Sequence, residues 1–402
     1  MQPTDSWLLP EGIDEALPDE AERLETLRRT LVDLHGRWGY RLVMPPFIEY
    51  LESLLTGTGN DLDLQTFKLT DQLSGRLLGV RADMTPQVAR MDAHRLGRDV
   101  PERLCYQGTV LRTRPENGAG SRAPLQVGAE LFGHGGTESD VEIVALMVAS
   151  LQAVGLEDIH LDLGHVGIYR GLVAATELEP GHEEQLFDAL QRKARPELPD
   201  ILEEGGVQGT LRHLLLRLPD LHGDRSVLAE ARELLSGTSD DVVAALDDLE
   251  AIADAVAERL PGVTLHFDLG ELRGYRYHTG VVFAAMDATH GRTVAMGGRY
   301  DDIGGVFGRA RPATGFSADL RELVALSAGG AGVPSAGGIF APWVEEPQER
   351  MAWQRTIDTL RAEGERVVVE LPEQGGDAQT MGCDRRLVQQ DGQWQVVPAV
   401  GE

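Results

Sequence analysis

The chain has 402 residues, of which 42% are hydrophobic and 25% charged, as is typical of soluble globular proteins, and its length favours two or three domains. The 65 acidic residues outnumber the 37 basic ones, so the formal net charge is −28. Because nucleic-acid affinity comes largely from Lys and Arg that neutralise phosphates, this balance argues against a nucleic-acid partner. We interpret the scattered acids as a solvated surface.

The two cysteines, Cys105 and Cys383, belong to no C-x-x-C pattern, so we expect neither a disulfide framework nor a zinc site, and Cys105 is predicted to be a buried thiol. The first residues lack the basic and apolar regions of a signal peptide, and the longest apolar stretch, residues 143–154, is too short to span a bilayer. We therefore expect a cytoplasmic protein without membrane contact, metal or cofactor.

In chain order, the first predicted elements are a helix, an interrupted strand and a hairpin. Apolar residues at helical spacing, preceded by acids and followed by Gly39, predict a helix that begins at Pro18. Residues 39–50 indicate a strand interrupted by two prolines, which confine it to an edge or an interface and make it a candidate subunit contact. Residues 66–80 predict a β-hairpin.

Asp83 follows the hairpin and precedes a predicted helix over residues 87–96, with Thr85 as N-cap and Pro86 as the first helical residue. The residues leave two interpretations of this carboxylate open. It caps the helix, or it binds the ammonium group of a ligand.

Residues 104–133 predict two strands joined by a loop rich in Arg, Gly and Pro. In the second strand the odd-numbered residues are apolar, whereas Gln126, Gly128 and Glu130 share the other face. We expect Gly128 to leave open space between the amide and the carboxylate, and Arg112 to supply a positive charge. The pattern indicates a pocket for a small zwitterion.

Helical patterns dominate residues 167–260 and predict a helical insertion inside an α+β domain, and β-patterns return from residue 263. The turn that holds Arg273, Tyr277 and His278 suits an anionic group, although a solvated turn with stacked arginines also fits it. The Gly-rich residues 297–305 lack the strand–G-x-G-x-x-G–helix context of a dinucleotide site, so a tight turn is the default interpretation.

Together these segments resemble, in order, the motifs of class II aminoacyl-tRNA synthetases, and specifically the histidyl-tRNA synthetase family. The resemblance covers most of the chain before the Gly-rich stretch near residue 330. It implies an α+β fold: a class II aminoacyl-tRNA synthetase-like antiparallel sheet flanked by helices, with a helical insertion and a small C-terminal α/β domain. The matching segments are the dimer motif (39–50), the second motif (110–133), the third motif (312–323) and two histidine-recognition motifs (271–277 and 297–301).

The resemblance also implies domain boundaries. The synthetase-like core spans residues 1–165 and 261–326, and the helical insertion interrupts it at 166–260. A flexible linker, residues 327–338, leads to a small C-terminal domain at 339–402 that carries no motif.

Three departures from the synthetase pattern surround the place where that family binds ATP. Arg321-Glu322 replaces a Glu-Arg pair, Arg114 replaces a Glu, and Arg276 replaces an Asp. Reversed charges of this kind imply that aminoacylation is lost. The short C-terminal part and the acidic surface also disfavour tRNA.

The resemblance implies a histidine pocket without catalytic residues. The partners of the histidine ammonium and imidazole groups are Asp83, Thr85, Gln126 and Glu130. The residues that face its carboxylate are Arg112 and Arg273. The residues that line its ring are Tyr277, His278 and Tyr300.

A synthetase-like chain with this pocket and a reduced C-terminus resembles the regulatory subunits of ATP phosphoribosyltransferase. The resemblance implies a chain that dimerises through its class II core within a hetero-oligomer. Its partner is the short-form catalytic subunit of the first step of histidine biosynthesis, which needs it for activity, and L-histidine is its allosteric ligand. The alternatives are a divergent histidyl-tRNA synthetase, a histidine-adenylating enzyme and, with least support, an RNA-binding module.

Overall fold

The computed structural model describes residues 7–56, 60–115, 121–272, 274–275, 277–327, 337–372 and 375–399. Arg273 and Arg276 of the predicted turn, and most of the predicted linker, lie outside these residues. The chain forms two compact units, Met1–Ser327 and Ala328–Glu402.

The first half of the first unit combines α-helices with strands. Its elements are α1 (Pro18–Arg37), β1 (Arg41–Val43), β2 (Ile48–Tyr50), α2 (Leu51–Leu55), α3 (Asn60–Gln65), β3 (Phe67–Thr70), β4 (Leu77–Val80), α4 (Thr85–Arg90), β5 (Glu102–Thr109), β6 (Leu125–Phe132), α5 (Thr137–Ala153) and β7 (Ile159–His165).

A helical segment follows, and the unit then returns to strands. The helical segment contains α6 (Val166–Ala174), α7 (Pro180–Gln191), α8 (Leu198–Glu204), α9 (Gly209–Arg217), β8 (His222–Gly223), α10 (Ser226–Leu235) and α11 (Asp240–Arg259). The last elements are β9 (Thr264–Asp268), β10 (Val281–Asp287), β11 (Arg292–Arg299), β12 (Ala313–Asp319) and α12 (Leu320–Ser327).

Within the described residues, nine strands form one large sheet in the order β1-β5-β6-β12-β11-β10-β7-β9-β8. The centre of the sheet is antiparallel, while β1 runs parallel to β5 and β7 runs parallel to β9. Helix α5 packs on the sheet and is covered by α1 and α11, so residues around its whole circumference, such as Ile143, Leu146 and Met147, are fully buried. Cys105 is buried as predicted, and burial raises the pKa of its thiol to about 11. None of the helices in the described part combines the length and apolar character needed to cross a bilayer.

The proline-interrupted segment is two strands in different sheets. β1 joins the large sheet, whereas β2 pairs with β4 of the predicted hairpin in a three-stranded sheet, because Pro45 and Pro46 end the ladder between them. The segment leaves apolar side chains in solvent: Met44 is 74% exposed, Phe47 45% and Ile48 44%. The hairpin itself, β3–β4, is confirmed.

The helix after Asp83 differs from the prediction at both ends. Thr85 is its first residue rather than its N-cap, because the Asp83 carboxylate accepts a hydrogen bond from the Thr85 N–H at 3.0 Å. The α-helix then gives way to a π-helix, Met91–Leu96, whose buried Asp92 pairs with Arg311 at 3.3 Å between Oδ1 and Nη1. Such wide turns are rare in proteins.

The second unit contains β13 (Gly338–Ala341), α13 (Pro347–Ala362), β14 (Val367–Val369), β15 (Cys383–Gln390) and β16 (Gln393–Pro398). Its sheet has the order β14-β13-β15-β16, and only the last pair is antiparallel. Trp353 and Ile357 of α13 pack with Ile339 and Leu387 of the sheet and give this unit its own core. The strands and the helix agree with the small C-terminal α/β domain that the sequence predicts.

Candidate functional site

Glu130 is the charged centre of a polar cluster on the large sheet. β6 places it opposite Gly315 of β12, and a Cβ added at position 315 would lie 1.5 Å from Glu130 Oε2, so only glycine leaves room for the carboxylate. The residue is 1% exposed. Tyr106 Oη donates a hydrogen bond to Glu130 Oε1 at 3.0 Å, and the Tyr300 hydroxyl donates to Oε2. Both carboxylate oxygens are therefore bound by phenols.

The carboxyl group of Glu130 resists ionisation. Burial, together with a smaller effect of the Asp83 charge, raises its pKa to about 8, although hydrogen bonds from Tyr300, Tyr106 and Thr85 oppose the shift. In the described part of the chain, no Arg, Lys or His pairs with this carboxyl. The cluster thus contains a buried acid without a cationic partner, an arrangement that is concentrated at functional sites.

Asp83, Thr85 and Gln126 form a second hydrogen-bonded group at the start of α4. Gln126 Nε2 donates to Asp83 Oδ1 at 2.8 Å, and Gln126 Oε1 accepts a hydrogen bond from the Met84 N–H at 2.9 Å. Thr85 Oγ1 lies 3.0 Å from Tyr106 Oη, which links this group to the buried carboxyl. Asp83 caps the helix and also belongs to the polar cluster, so the two interpretations of its carboxylate are compatible.

The space between Gln126 and Glu130 is filled, so the expectation that Gly128 leaves it open is wrong. Tyr106 of β5 is paired with Gly128 of β6, and a Cβ added at position 128 would lie 2.5 Å from Tyr106 Oη and 2.5 Å from Phe316 O. Glycine is needed there to make room for the phenol. Tyr106 is thus a site residue that the sequence interpretation missed, because only the pairing of β5 with β6 shows a large side chain opposite a glycine.

Tyr277, His278 and Tyr300 form the aromatic side of the cluster. The Tyr277 ring lies 4.9 Å from that of Tyr300 and 5.4 Å from that of His278, between ring centroids. Burial, with the charges of Glu130 and Asp83, raises the pKa of Tyr277 well above its ordinary value. Its hydroxyl is buried and has no hydrogen-bond partner among the described residues. Buried polar atoms rarely lack a partner, so this hydroxyl is an exception that calls for a cause.

Of the two arginines predicted to face a carboxylate, the structure describes one. Arg112 is half-buried, and its Nε donates to the carbonyl oxygen of Ala82, the neighbour of Asp83, at 3.4 Å. Arg273 lies outside the described residues. The structure therefore brings the side chains predicted for ammonium, imidazole and ring contacts into one cluster and places Arg112 beside it.

At the C-terminal end of β12, away from Gly315, polar side chains form contacts within the chain. The Asp319 carboxylate accepts hydrogen bonds from the Leu125 N–H at 3.1 Å and the Arg321 N–H at 3.0 Å. Arg321 Nη1 lies 3.2 Å from Glu20 Oε1, and Arg321 also donates to the Asp14 carbonyl. This cation therefore ties α12 to the N-terminal region of the unit.

Comparisons with known proteins match both units. The family profile described as histidyl-tRNA synthetase matches residues 12–323, and that of the ATP phosphoribosyltransferase subunit HisZ C-terminal domain matches residues 336–397. The ATP phosphoribosyltransferase regulatory subunit of Alkalilimnicola ehrlichii is 59% identical over 386 residues, which cover 96% of this chain and 95% of that protein. The chain belongs to the family of ATP phosphoribosyltransferase regulatory subunits. The member from Thioalkalivibrio sulfidiphilus is 60% identical over 400 residues, 98% of this chain and 99% of that protein.

Solved structures agree with this family. One from Bacillus halodurans, named ATP phosphoribosyltransferase regulatory subunit/histidyl-tRNA synthetase, is 28% identical, with a TM-score of 0.81 over 94% of this chain and 96% of that one. Histidyl-tRNA synthetase from Nostoc sp. PCC 7120 is 19% identical and shares the fold, with a TM-score of 0.78 over 98% of this chain and 97% of its own. The predicted class II synthetase-like fold and the predicted regulatory-subunit family are both confirmed.

Proposed function

We propose that this chain is a non-catalytic, histidine-sensing subunit that a short-form ATP phosphoribosyltransferase catalytic chain requires for activity and through which histidine inhibits that enzyme. The observation that carries the proposal is the buried cluster around Glu130. It combines an acid that has no cationic partner in the described part with a Tyr277 hydroxyl that has no hydrogen-bond partner there. The relatives' name, regulatory subunit, supports the same role.

Histidine suits this cluster because each of its polar groups meets a group of opposite character. The Asp83 carboxylate is suited to the ammonium group, and the Glu130 carboxyl to the imidazole ring. Arg112 and Arg273 are suited to the ligand carboxylate. A zwitterion can be buried only when its charges are paired in this way.

The contacts of Arg321 support a chain without adenylating chemistry. In the synthetases that the third motif resembles, an arginine packs on the ATP adenine, whereas here the following residue, Glu322, takes that place in the sequence. Arg321 itself pairs with Glu20 of α1. We therefore propose that no residue of this chain is catalytic and that no cofactor is needed.

The proline-rich segment supports a homodimer through the class II core, within a hetero-oligomer in the cytoplasm. Met44, Phe47 and Ile48 place neighbouring apolar side chains in solvent, at 74%, 45% and 44% exposure. Exposed apolar side chains that are close in the sequence are suited to protein–protein contact. A partner copy of the chain is the occupant that the class II motif implies.

A mixing assay tests the proposal. The short catalytic chain is assayed for phosphoribosyl transfer alone, with this chain added, and with this chain plus histidine. We expect no transfer by this chain alone, a higher rate on mixing, and suppression by histidine, because histidine must bind two states of the complex unequally to inhibit it. The catalytic chain with histidine alone is the control. An unchanged rate on mixing contradicts the proposal, and histidine-dependent ATP–pyrophosphate exchange by this chain alone would support the adenylating enzyme instead.

A further inference from the structure

The turn before β10 contacts two parts of the first unit. Tyr277 lies in the polar cluster, where its ring is 4.9 Å from that of Tyr300 between centroids. Tyr275 packs against the helical segment instead. We propose that Arg170 of α6 is a positioning residue of the proposed histidine site, because it attaches this turn to the helical segment and thereby sets the place of the Tyr277 ring. The inference rests on that proposed site and adds how a helix outside the sheet controls it.

The turn is shaped by hydrogen bonds of its own. The Gly274 carbonyl oxygen accepts hydrogen bonds from the Tyr277 N–H at 2.7 Å and the His278 N–H at 2.8 Å. Gly274 has a φ of +65°, and a Cβ added there would lie 2.5 Å from His278 Nδ1, so glycine is needed at this position. These contacts lie within the turn, so they fix its shape and not its place in the unit.

Arg170 binds the turn from the helical segment at two points. Its Nη2 donates to the carbonyl oxygen of Tyr275 at 3.3 Å and to that of His278 at 3.1 Å. Its guanidinium carbon also lies 5.2 Å from the centroid of the Tyr275 ring, within the range of a cation–π contact. The two carbonyl groups lie on either side of Tyr277 in the sequence. One guanidinium therefore restrains the main chain before and after this tyrosine.

The Tyr275 ring adds an aromatic contact to the same attachment. Its centroid lies 5.1 Å from that of Tyr169 in α6, edge to face, and 5.3 Å from that of Phe187 in α7. Tyr169 is fully buried and α6 packs on α11, so the Tyr275 ring rests on a well-packed element. Tyr275 and Tyr277 are two residues apart in one tight turn. A displacement of the first ring from the helices therefore displaces the second in the cluster.

The exposure of Arg170 separates this role from a contribution to folding. Arg170 is an exposed residue, and exposed charged contacts contribute little to the free energy of unfolding. Ligand binding is more sensitive, because side chains of a binding site must stay within about 0.5 Å of their productive positions. The loss of Arg170 should therefore weaken histidine binding while the fold stays intact.

A double-mutant cycle tests the proposal, with calorimetric titration of the full chain by L-histidine. The four proteins are the wild type, Arg170→Gln, Tyr277→Ala and the double variant. We expect Arg170→Gln to lower the affinity about 3- to 10-fold, the effect of one or two hydrogen bonds, with an unchanged thermal unfolding midpoint. In the Tyr277→Ala background the same substitution should change the affinity less than about twofold, because no tyrosine is left to position.

Arg192→Gln is the matched control within the helical segment. Arg192 follows α7, and its Nη2 lies 2.9 Å from Glu197 Oε2 in an exposed ion pair. The substitution removes an arginine without a printed contact to the turn and should leave histidine affinity unchanged. A loss equal to that of Arg170→Gln would contradict a specific role for Arg170.

Hydrogen exchange of the free protein covers the case in which Tyr277→Ala binds too weakly to titrate. The amides of Tyr277 and His278 donate hydrogen bonds within the turn, so their exchange reports its opening. We expect faster exchange of these amides in Arg170→Gln than in the wild type, with the amides of α6 unchanged.

Two results would overturn the positioning role. One is an equal loss of affinity from Arg170→Gln with and without Tyr277, since Arg170 would then act through another group. The other is an unchanged affinity, or an unchanged exchange of the turn amides, in Arg170→Gln. Absence of histidine binding by the wild type contradicts the proposed site itself, and the exchange measurement then still decides whether Arg170 restrains the turn.

Discussion

Polar side chains lie near both ends of β12, and they differ in the partners that they have. At Gly315 the strand meets Glu130, whose carboxyl has only phenols as partners for its oxygens within the described part. Four residues later, Asp319 accepts two backbone hydrogen bonds and Arg321 forms an ion pair with Glu20. One end contains a buried carboxyl without a cationic partner in the described part, close to a tyrosine hydroxyl without a hydrogen-bond partner there, and the other contains polar groups that the fold already uses.

This difference distinguishes side chains suited to ligand binding from side chains that stabilise the fold. A buried polar group is retained in a fold when it is satisfied, and each exception calls for a ligand or another cause. Among the described residues, the Glu130 end has one such exception, the Tyr277 hydroxyl, whereas the Arg321 end has the contacts of a helix attachment. The contrast supports the proposal that this chain binds an amino acid near Glu130 and uses Arg321 to attach a helix.

Of the variants considered, Glu130→Ala should have the largest effect on histidine affinity. A hydrogen bond to a charged group contributes about 1.5–3 kcal/mol, so we expect histidine affinity to fall by about 10- to 150-fold, measured by calorimetry. Arg273→Ala should weaken binding as well, because it removes a cation proposed to face the ligand carboxylate. Both variants should stay folded, as judged by thermal unfolding.

Glu258→Ala is the matched control, because it removes an exposed glutamate of α11. It should leave histidine affinity unchanged. An unchanged affinity in Glu130→Ala would show that the pocket lies elsewhere.

Gly128→Ala should have an intermediate effect on both stability and binding. Its Cβ would lie 2.5 Å from Tyr106 Oη and 2.5 Å from Phe316 O, so the phenol must move away from Glu130. Overpacking of this kind lowers the free energy of unfolding by about 1–3 kcal/mol, measurable by urea denaturation, and histidine affinity should fall with it.

Gly181→Ala in α7 is the control for the added methyl group, since the space around that position is open and helices favour alanine. It should be neutral or slightly stabilising. If Gly128→Ala unfolds like this control, Tyr106 is not confined as the structure indicates.

Arg321→Gln should have the smallest effect. Its ion pair with Glu20 is partly exposed, so the free energy of unfolding should fall by less than about 1 kcal/mol, with histidine affinity unchanged. Urea denaturation and calorimetry measure the two quantities. A clear loss of histidine binding would show that Arg321 contributes to the binding site as well as to the fold.

The sequence predicts the parts of this molecule that depend on local patterns. Periodicity and capping predict α1 and the β3–β4 hairpin, and the synthetase motifs predict the sheet. The ring of Tyr106 over Gly128 could not be foreseen, because it depends on which residues of β5 and β6 stand opposite each other.

Contacts between distant segments explain the other differences. The π-helix contains an ordinary helical pattern, but its Asp92 pairs with Arg311, which follows more than two hundred residues later in the sequence. The Pro45-Pro46 segment divides between two sheets because its partners are β5 on one side and β4 on the other. Local sequence propensity does not predict which distant segments will pair.

The phenols around Glu130 give the pocket an optical signature of its own. Three of the seven tyrosines, Tyr106, Tyr277 and Tyr300, surround one carboxyl, and two of them donate hydrogen bonds to it. Tyrosine absorbs in the near ultraviolet and responds to the charge beside its hydroxyl, whereas histidine is transparent there. A difference spectrum of the unlabelled protein with and without histidine is therefore expected to respond to binding at this cluster, since histidine itself does not absorb there.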